Sequence, residues 1–189
     1  LVKVLGISGS LTPRSKTIII VEEVLKRATM QDPSIQAEML DLREYDMQFC
    51  NGRKAVDYNE DTQKIIQKVL EADCFVIGTP VYQGSLSGAL KNLIDLVPLE
   101  AFRKKVVGLI ATGGTYQHFL VIENQLKPIF GYFRSYVAPS YVYSHDSHFN
   151  SSKEIIDVSV QQRIDDLGKE VVEMHTRFNN GHRAQISQG

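Results

Sequence analysis

Apolar positions along the chain fall into two alternating rhythms. Short continuous runs occur at Val2 to Ile7, Ile35 to Leu42, Asp73 to Gly78, Lys105 to Ala111 and Tyr136 to Tyr143. Runs of this length, rich in Val and Ile and bounded by turn residues, predict strands buried on both faces. Between them, apolar residues recur at three- and four-residue spacing. Ile18, Val21, Leu25 and Ala28 form one stripe, and Ile65, Ile66, Val69 and Leu70 form another within Asn59 to Ala72. Leu86, Ala89, Leu90, Leu93, Ile94 and Val97 form a third, ended by Pro98. Phe119, Leu120, Leu126, Ile129 and Phe130 form a fourth within Tyr116 to Phe133, and Ile155, Val158, Ile164, Leu167 and Val171 a fifth. These stripes predict amphipathic helices. Pro128 lies inside the fourth and clashes with the carbonyl four residues back, so a kink or a π-bulge is expected near Asn124. Ser151 with Glu154 has the capping-box pattern and places the start of the last helix there. Five strands alternating with five helices predict an α/β three-layer sandwich. Its five-stranded parallel sheet would have the order 2-1-3-4-5, with helices on both faces.

In that order the loops at the carboxyl ends of strands one, three and four converge at the switch point, where open α/β sheets bind ligands. The first is Ser8-Gly9-Ser10-Leu11-Thr12-Pro13-Arg14-Ser15-Lys16-Thr17, rich in hydroxyls and followed by a helix. Hydroxyls and free N–H groups at a helix N-terminus suit a single terminal phosphate. The stretch has neither the GxxxxGK(S/T) nor the GxGxxG pattern of nucleotide-binding loops. The second loop is Thr79-Pro80-Val81-Tyr82-Gln83-Gly84-Ser85, in which Pro80 fixes the backbone and Tyr82 offers a flat face. Gly84 permits close approach of a backbone. The third, Thr112-Gly113-Gly114-Thr115, is a Gly-rich loop at a helix start. Together they suit a ligand with a phosphate at one end and a polar flat ring at the other, a description that FMN fits.

Composition narrows the classes. With 189 residues the chain can bury one sizeable core, and residues 1–178 are read as a single domain, with 179–189 a disordered polar tail. A formal charge of −1 offers no electrostatic case for nucleic acid or an anionic membrane. No apolar run is long enough to span a bilayer, so no membrane association and a cytoplasmic location are expected. Cys50 and Cys74 are too few for a disulfide framework or a four-cysteine metal site, and Cys74 reads as a core residue. His145 and His148 have the look of a metal pair, yet no third ligand is near in sequence, and no metal is expected. Lys91 and Asp95, four apart, make either an intrahelical pair or a bridge to a second subunit.

The run Thr79-Pro80-Val81-Tyr82-Gln83-Gly84-Ser85-Leu86-Ser87-Gly88-Ala89-Leu90-Lys91-Asn92-Leu93-Ile94-Asp95 resembles the signature of the NADPH-dependent FMN reductase family, whose fold is flavodoxin-like. Ser8-Gly9-Ser10, the Thr-Gly-Gly-Thr loop with His118, and the Leu126-Lys127-Pro128 step extend the resemblance. It is strongest to the reductase component of two-component alkanesulfonate monooxygenases. It implies phosphate contacts from Ser8, Ser10, Arg14, Ser15, Lys16 and Thr17. It implies a ring platform of Pro80, Val81, Tyr82, Gln83 and Ser85, with Thr112, Gly113, Gly114 and Thr115 at the pyrimidine edge of the flavin. Where some sulfonate-linked members carry a tyrosine associated with a π-helix and with flavin used as a substrate, this chain has Asn124. That departure argues against the feature and for a retained FMN.

The resemblance implies an NAD(P)H-dependent FMN reductase, passing a hydride from NADPH or NADH to FMN. Its product would be reduced FMN, or its electrons would go to a quinone, an azo compound or a metal ion. No catalytic acid or base is expected, since orientation and electrostatics are the protein's part. The apolar stripe before Val97 and the aromatics Phe119, Phe130 and Phe133 point to a homodimer or homotetramer. A flavin-dependent monooxygenase is a further possible partner. The alternative is a flavodoxin-type electron-transfer module without nicotinamide chemistry. The near balance of 22 acids and 21 bases argues against it, because such carriers dock through strong negative charge.

Overall fold

The computed structural model describes residues 1–186, with side chains described through Phe178. Five long strands, β1 (Val2–Ser8), β2 (Ile35–Asp41), β3 (Cys74–Tyr82), β5 (Val106–Gly113) and β6 (Tyr136–His145), pair in parallel in the order β2-β1-β3-β5-β6. This is the expected order of the five long strands. A sixth strand, β4 (Ser85–Leu86), pairs antiparallel with the end of β3. Its two residues are too few to show as a pattern in sequence.

Helices α1 (Lys16–Gln31) and α5 (Val158–Ile186) cover one face of the sheet. Val21, Val24 and Leu25 of α1 meet Ile164, Leu167 and Val171 of α5 over Val4, Val76 and Ile110. Gly168 of α5 lets the two helices touch, since a Cβ there would lie 2.6 Å from the Arg27 side chain. Helices α2 (Glu60–Glu71), α3 (Gly88–Leu96) and α4 (Lys127–Tyr132) enclose the other core around Phe75, Ile77, Leu93 and Leu109. Burial on both faces explains the unbroken apolar runs of the central strands β1, β3 and β5, while the edge strands β2 and β6 keep exposed positions.

Several expectations are corrected. The last helix does not begin at Ser151. Glu154 accepts from Asn150 Nδ2 and its N–H bonds Asn150 Oδ1, while Asp157 accepts from Val160 N and so caps α5. Phe130 and Phe133 are core residues packed edge-on against Phe102, so they do not argue for a subunit contact. Lys91 pairs with Asp95 on its own helix at 2.7 Å. The tail expected from residue 179 falls where no side chain is described. Helix α5 is assigned through Ile186, and 187–189 lie outside the described residues.

Residues Ile122–Leu126 form a π-helical turn that leads into α4, with Lys127 N donating to Ile122 O. The wider turn gives the Pro128 ring room over the Asn124 carbonyl. The expectation drawn from Pro128 therefore holds. The doubt that Asn124 cast on a π-helix is not borne out, because the π-turn forms with asparagine at that position.

Candidate functional site

The carboxyl ends of β1, β3 and β5 meet at one edge of the sheet, in a cleft of about 330 Å³. Ser10, Thr12, Ser15, Lys16 and Thr17 line it from the first loop. Pro80, Val81 and Tyr82 line it from β3, Gly113 and Gly114 from β5 and its loop, and Asp146 and Lys153 from the segment after β6. Thr112 is also at its wall.

The first loop is built by its own hydroxyls. Ser8 is buried, and its Oγ accepts from Ser10 N; Ser10 Oγ accepts in turn from Thr12 N. Ser10 Oγ therefore keeps its own proton to donate. Ser15 is the N-cap of α1, its Oγ accepting from Ile18 N. The N–H groups of Lys16 and Thr17 lie in the first helical turn and have no helix carbonyl to bond. Thr17 Oγ1 lies 2.6 Å from Thr112 Oγ1, and both residues are buried. This hydroxyl pair ties the first loop to the end of β5. Lys16 Nζ lies 2.8 Å from Asp146 Oδ1 and 5.3 Å from the centre of the Phe149 ring.

The second stretch is mostly strand. Pro80 stays in register opposite Thr112, and β3 runs on to Tyr82. A proline is tolerated there because the ladder ends at that pair. Gln83 (φ 50°) and Gly84 (φ 77°) then form a two-residue hairpin turn into β4. Two positive φ values in succession are the mark of a type I′ turn, which glycine accommodates. Nothing lies within 4 Å of a Cβ built on Gly84, so this glycine serves the turn and not a close approach. Gln83 is exposed at the turn, and Ser85 Oγ donates to Gln125 Oε1 at 2.6 Å. Gln125 Nε2 donates to Gly84 O. The π-turn thus grips the hairpin that carries Tyr82. Tyr82 is 49% exposed, its hydroxyl 3.4 Å from Thr12 Oγ1.

The third loop leads into a three-residue 3-10 turn, Tyr116–His118, that begins the expected helical segment. That turn runs on through Phe119 into a helical stretch, 120–132, which contains the π-turn and α4. Tyr143 of β6 fixes the loop by donating its hydroxyl to Thr115 O. Gly113 makes room for this, since a Cβ there would sit 2.4 Å from the Tyr143 hydroxyl. Burial raises the Tyr143 phenol above its ordinary pKa, so it stays a donor.

Of the sequence-predicted residues, the cleft brings together Ser10, Ser15, Lys16, Thr17, Pro80, Val81, Tyr82, Thr112, Gly113 and Gly114. Ser8 supports the loop from beneath. Gln83 and Ser85 shape the hairpin. Thr115 contributes a carbonyl to Tyr143. Arg14 (φ 49°) lines a neighbouring cleft between α1 and residues 152–155. The sequence reading missed Ser87, whose Oγ donates to Gly9 O while its N–H reaches Thr79 Oγ1, pinning the hairpin to the first loop. It also missed Thr12, Asp146 and Lys153. The polar stretch Ser144 to His148, at the end of the last strand, was the available signal for Asp146. Among the described residues no His, Cys, Asp and Glu cluster could hold a metal.

Comparison with known proteins places this geometry. Residues 2–149 match the family described as NADPH-dependent FMN reductase. A relative from Geobacillus thermodenitrificans named NAD(P)H-dependent FAD/FMN reductase is 54% identical over 179 residues, covering 95% of this chain and 96% of the relative. The NADH-dependent FMN reductase SfnF of Pseudomonas fluorescens is 30% identical over 147 residues, covering 78% of each chain. The crystal structure of an oxidoreductase from Corynebacterium diphtheriae superposes with a TM-score of 0.79 over 94% of this chain and 98% of that one. At 20% identity, that likeness shows the fold alone.

Proposed function

The chain belongs to the NADPH-dependent FMN reductase family, and on that premise we propose that its cleft binds FMN and that the protein reduces it with NADPH or NADH. The observation that carries this reading is the convergence in one cleft of a hydroxyl-rich helix start, the Pro80–Tyr82 platform and the Gly113–Gly114 edge. The donor set fits the group. The Ser10 hydroxyl, the Lys16 and Thr17 N–H groups and the Lys16 ammonium would hold the phosphate. Pro80, Val81 and Tyr82 would hold the ring, with the backbone of Thr112 to Gly114 at its polar edge. When bound, FMN supplies hydride acceptance from the nicotinamide and delivery of electrons onward.

The chain's own part is binding and orientation. The Thr17–Thr112 pair fixes the spacing between the phosphate end and the ring end. Backbone N–H groups of the third loop would face the ring edge and stabilise negative charge there without a proton transfer. No side chain acts as a general acid or base. The phosphate requirement favours FMN over riboflavin, and the open cleft leaves one side of the ring site accessible to the nicotinamide and then to an acceptor. A quinone, an azo compound, a metal ion or the flavin site of a monooxygenase are the acceptor classes.

No helix among the described residues is long and apolar enough to cross a membrane. A cytoplasmic location is part of the proposal. So is assembly as a homodimer or homotetramer. It rests on a groove of about 540 Å³ between α3 and α4, lined by Ile94, Val97, Leu99, Pro128, Ile129 and Tyr132. Leu99 and Tyr132 are 47% and 71% exposed there.

Steady-state oxidation of NADPH and NADH by the purified protein, with and without added FMN, tests the reading. Oxidation that saturates with FMN is expected. FMN binding without nicotinamide oxidation would instead favour a flavodoxin-type carrier, and neither would remove the flavin reading.

A further inference from the structure

Three charged side chains line the cleft among the described residues: Lys16, Lys153 and Asp146. Their arrangement is uneven. The Lys16 ammonium is held by the Asp146 carboxylate at 2.8 Å. Lys153 Nζ reaches over from the segment after β6 to donate to the Arg14 carbonyl at 2.8 Å. Among the described residues Lys153 has a carbonyl and no carboxylate within ion-pair distance, with Glu22, Glu23 and Glu154 farther off in the neighbouring cleft, whereas Lys16 is paired directly with a carboxylate.

The position of Lys153 is built. Phe149 and Ile155 form an antiparallel bridge. Within it Asn150 N donates to Glu154 O, and Lys153 N donates to Asn150 O. This tight hairpin places Lys153 at its tip with φ 63°, a left-handed conformation that non-glycine residues seldom adopt. Arg14, its acceptor across the cleft, is also left-handed, with φ 49°. Phe149, buried at the hairpin's base, carries the Lys16 ammonium over its ring. Two strained backbones meet through one contact, and that contact spans the wall of the cleft beside the start of α1.

We infer that Lys153 and Asp146 together set how strongly, and how selectively, the cleft holds a phosphate monoester: Lys153 favours it, and Asp146 opposes it by occupying Lys16. This rests on the flavin reading above and adds to it a division of labour. A dianionic phosphate at the α1 N-terminus is met by one cation with no carboxylate at ion-pair distance, while a second cation is released to it only when the Asp146 pair opens. Binding is therefore weaker than the two lysines alone would give.

The test is fluorescence-quenching titration of FMN and of riboflavin on wild type, Lys153→Ala, Lys153→Arg and Asp146→Asn, with inorganic phosphate as a third probe read by thermal shift. Circular dichroism checks that each variant is folded. Lys153→Ala should weaken FMN about tenfold, the scale of one charge-assisted contact. Riboflavin should change less than about twofold, and Lys153→Arg should recover most of the loss. Asp146→Asn should tighten FMN and leave riboflavin unchanged. Unchanged FMN affinity in Lys153→Ala, an equal loss for FMN and riboflavin, or weaker FMN binding in Asp146→Asn would overturn the inference while leaving the flavin reading in place. If no flavin binds but phosphate stabilises wild type and not Lys153→Ala, the flavin reading falls and the assignment of Lys153 stands. No response to flavin or phosphate overturns both.

Discussion

The Thr17 and Thr112 hydroxyls face each other at 2.6 Å with both residues buried. Removing one leaves the other without its partner away from water, which costs about 1–3 kcal/mol. Thr17→Val should therefore lower the unfolding free energy by that order in chemical denaturation. The double variant Thr17→Val/Thr112→Val should cost less than the sum of the two single changes, because no hydroxyl is then stranded. Strict additivity would mean that the pair does not bridge loop and strand. The two cysteines divide in the same way by environment. Burial pushes the Cys74 thiol up to about 12, whereas Cys50 is exposed. Only the thiolate is the nucleophile. Near pH 8, a thiol reagent should label one cysteine quickly in the native protein and the second only after unfolding. Two fast sites would contradict the placement of Cys74. The sign of the linkage follows from the raised pKa. Stability from keeping Cys74 neutral is present below the ordinary thiol value of 9.0 and is lost as the pH rises through about 12.

At the scale of elements, the hairpin and the π-turn act as one unit. Gln125 reaches the hairpin from the π-turn Ile122–Leu126, just ahead of Pro128. Gln125→Ala removes both contacts. It should raise the FMN concentration needed for half-saturation about three- to tenfold, as for one or two neutral hydrogen bonds. It should also speed amide exchange at residues 83–86. Unchanged exchange there would show that the hairpin stands without the π-turn. This coupling was half legible in the sequence. Pro128 announced a disturbed helix at Asn124, because its clash with the carbonyl four residues back is local and needs no tertiary knowledge. What the disturbance is for depends on Gln125 meeting Gly84 and Ser85, forty residues away, and no local pattern encodes that. Thr79 to Ser85 was misread as a loop for a similar reason. Pro80 argues against a strand in isolation, but here it sits at the last rung of the ladder opposite Thr112.

Over the whole molecule, the fold was legible because the central strands β1, β3 and β5 are buried on both faces and the helices on one. Apolar periodicity then reports the layer directly, and the strand order follows from right-handed crossovers. The cleft was legible at β1, β3 and β5, where loop chemistry is dense. It was not at Asp146 and Lys153, which act across the chain from a segment with no motif. Of the aromatics from which the subunit contact was argued, Phe130 and Phe133 fill the core around Phe102, whereas Phe119 is exposed. The exposed pair Leu99 and Tyr132 takes their place in the argument. Sedimentation should show wild type as a dimer or tetramer and the variant Leu99→Asp/Tyr132→Asp shifted toward monomer, while a wild-type monomer would contradict the proposed assembly. The central claim, that this cleft is where a nicotinamide reduces FMN, is tested most directly without oxygen. FMN is mixed with a small excess of protein, NADPH or NADH is added, and the flavin absorbance is followed. The account predicts that the yellow colour bleaches in step with one nicotinamide oxidised per flavin, and that it does not bleach without the protein. Bound flavin that keeps its colour in the presence of both nicotinamides would contradict it.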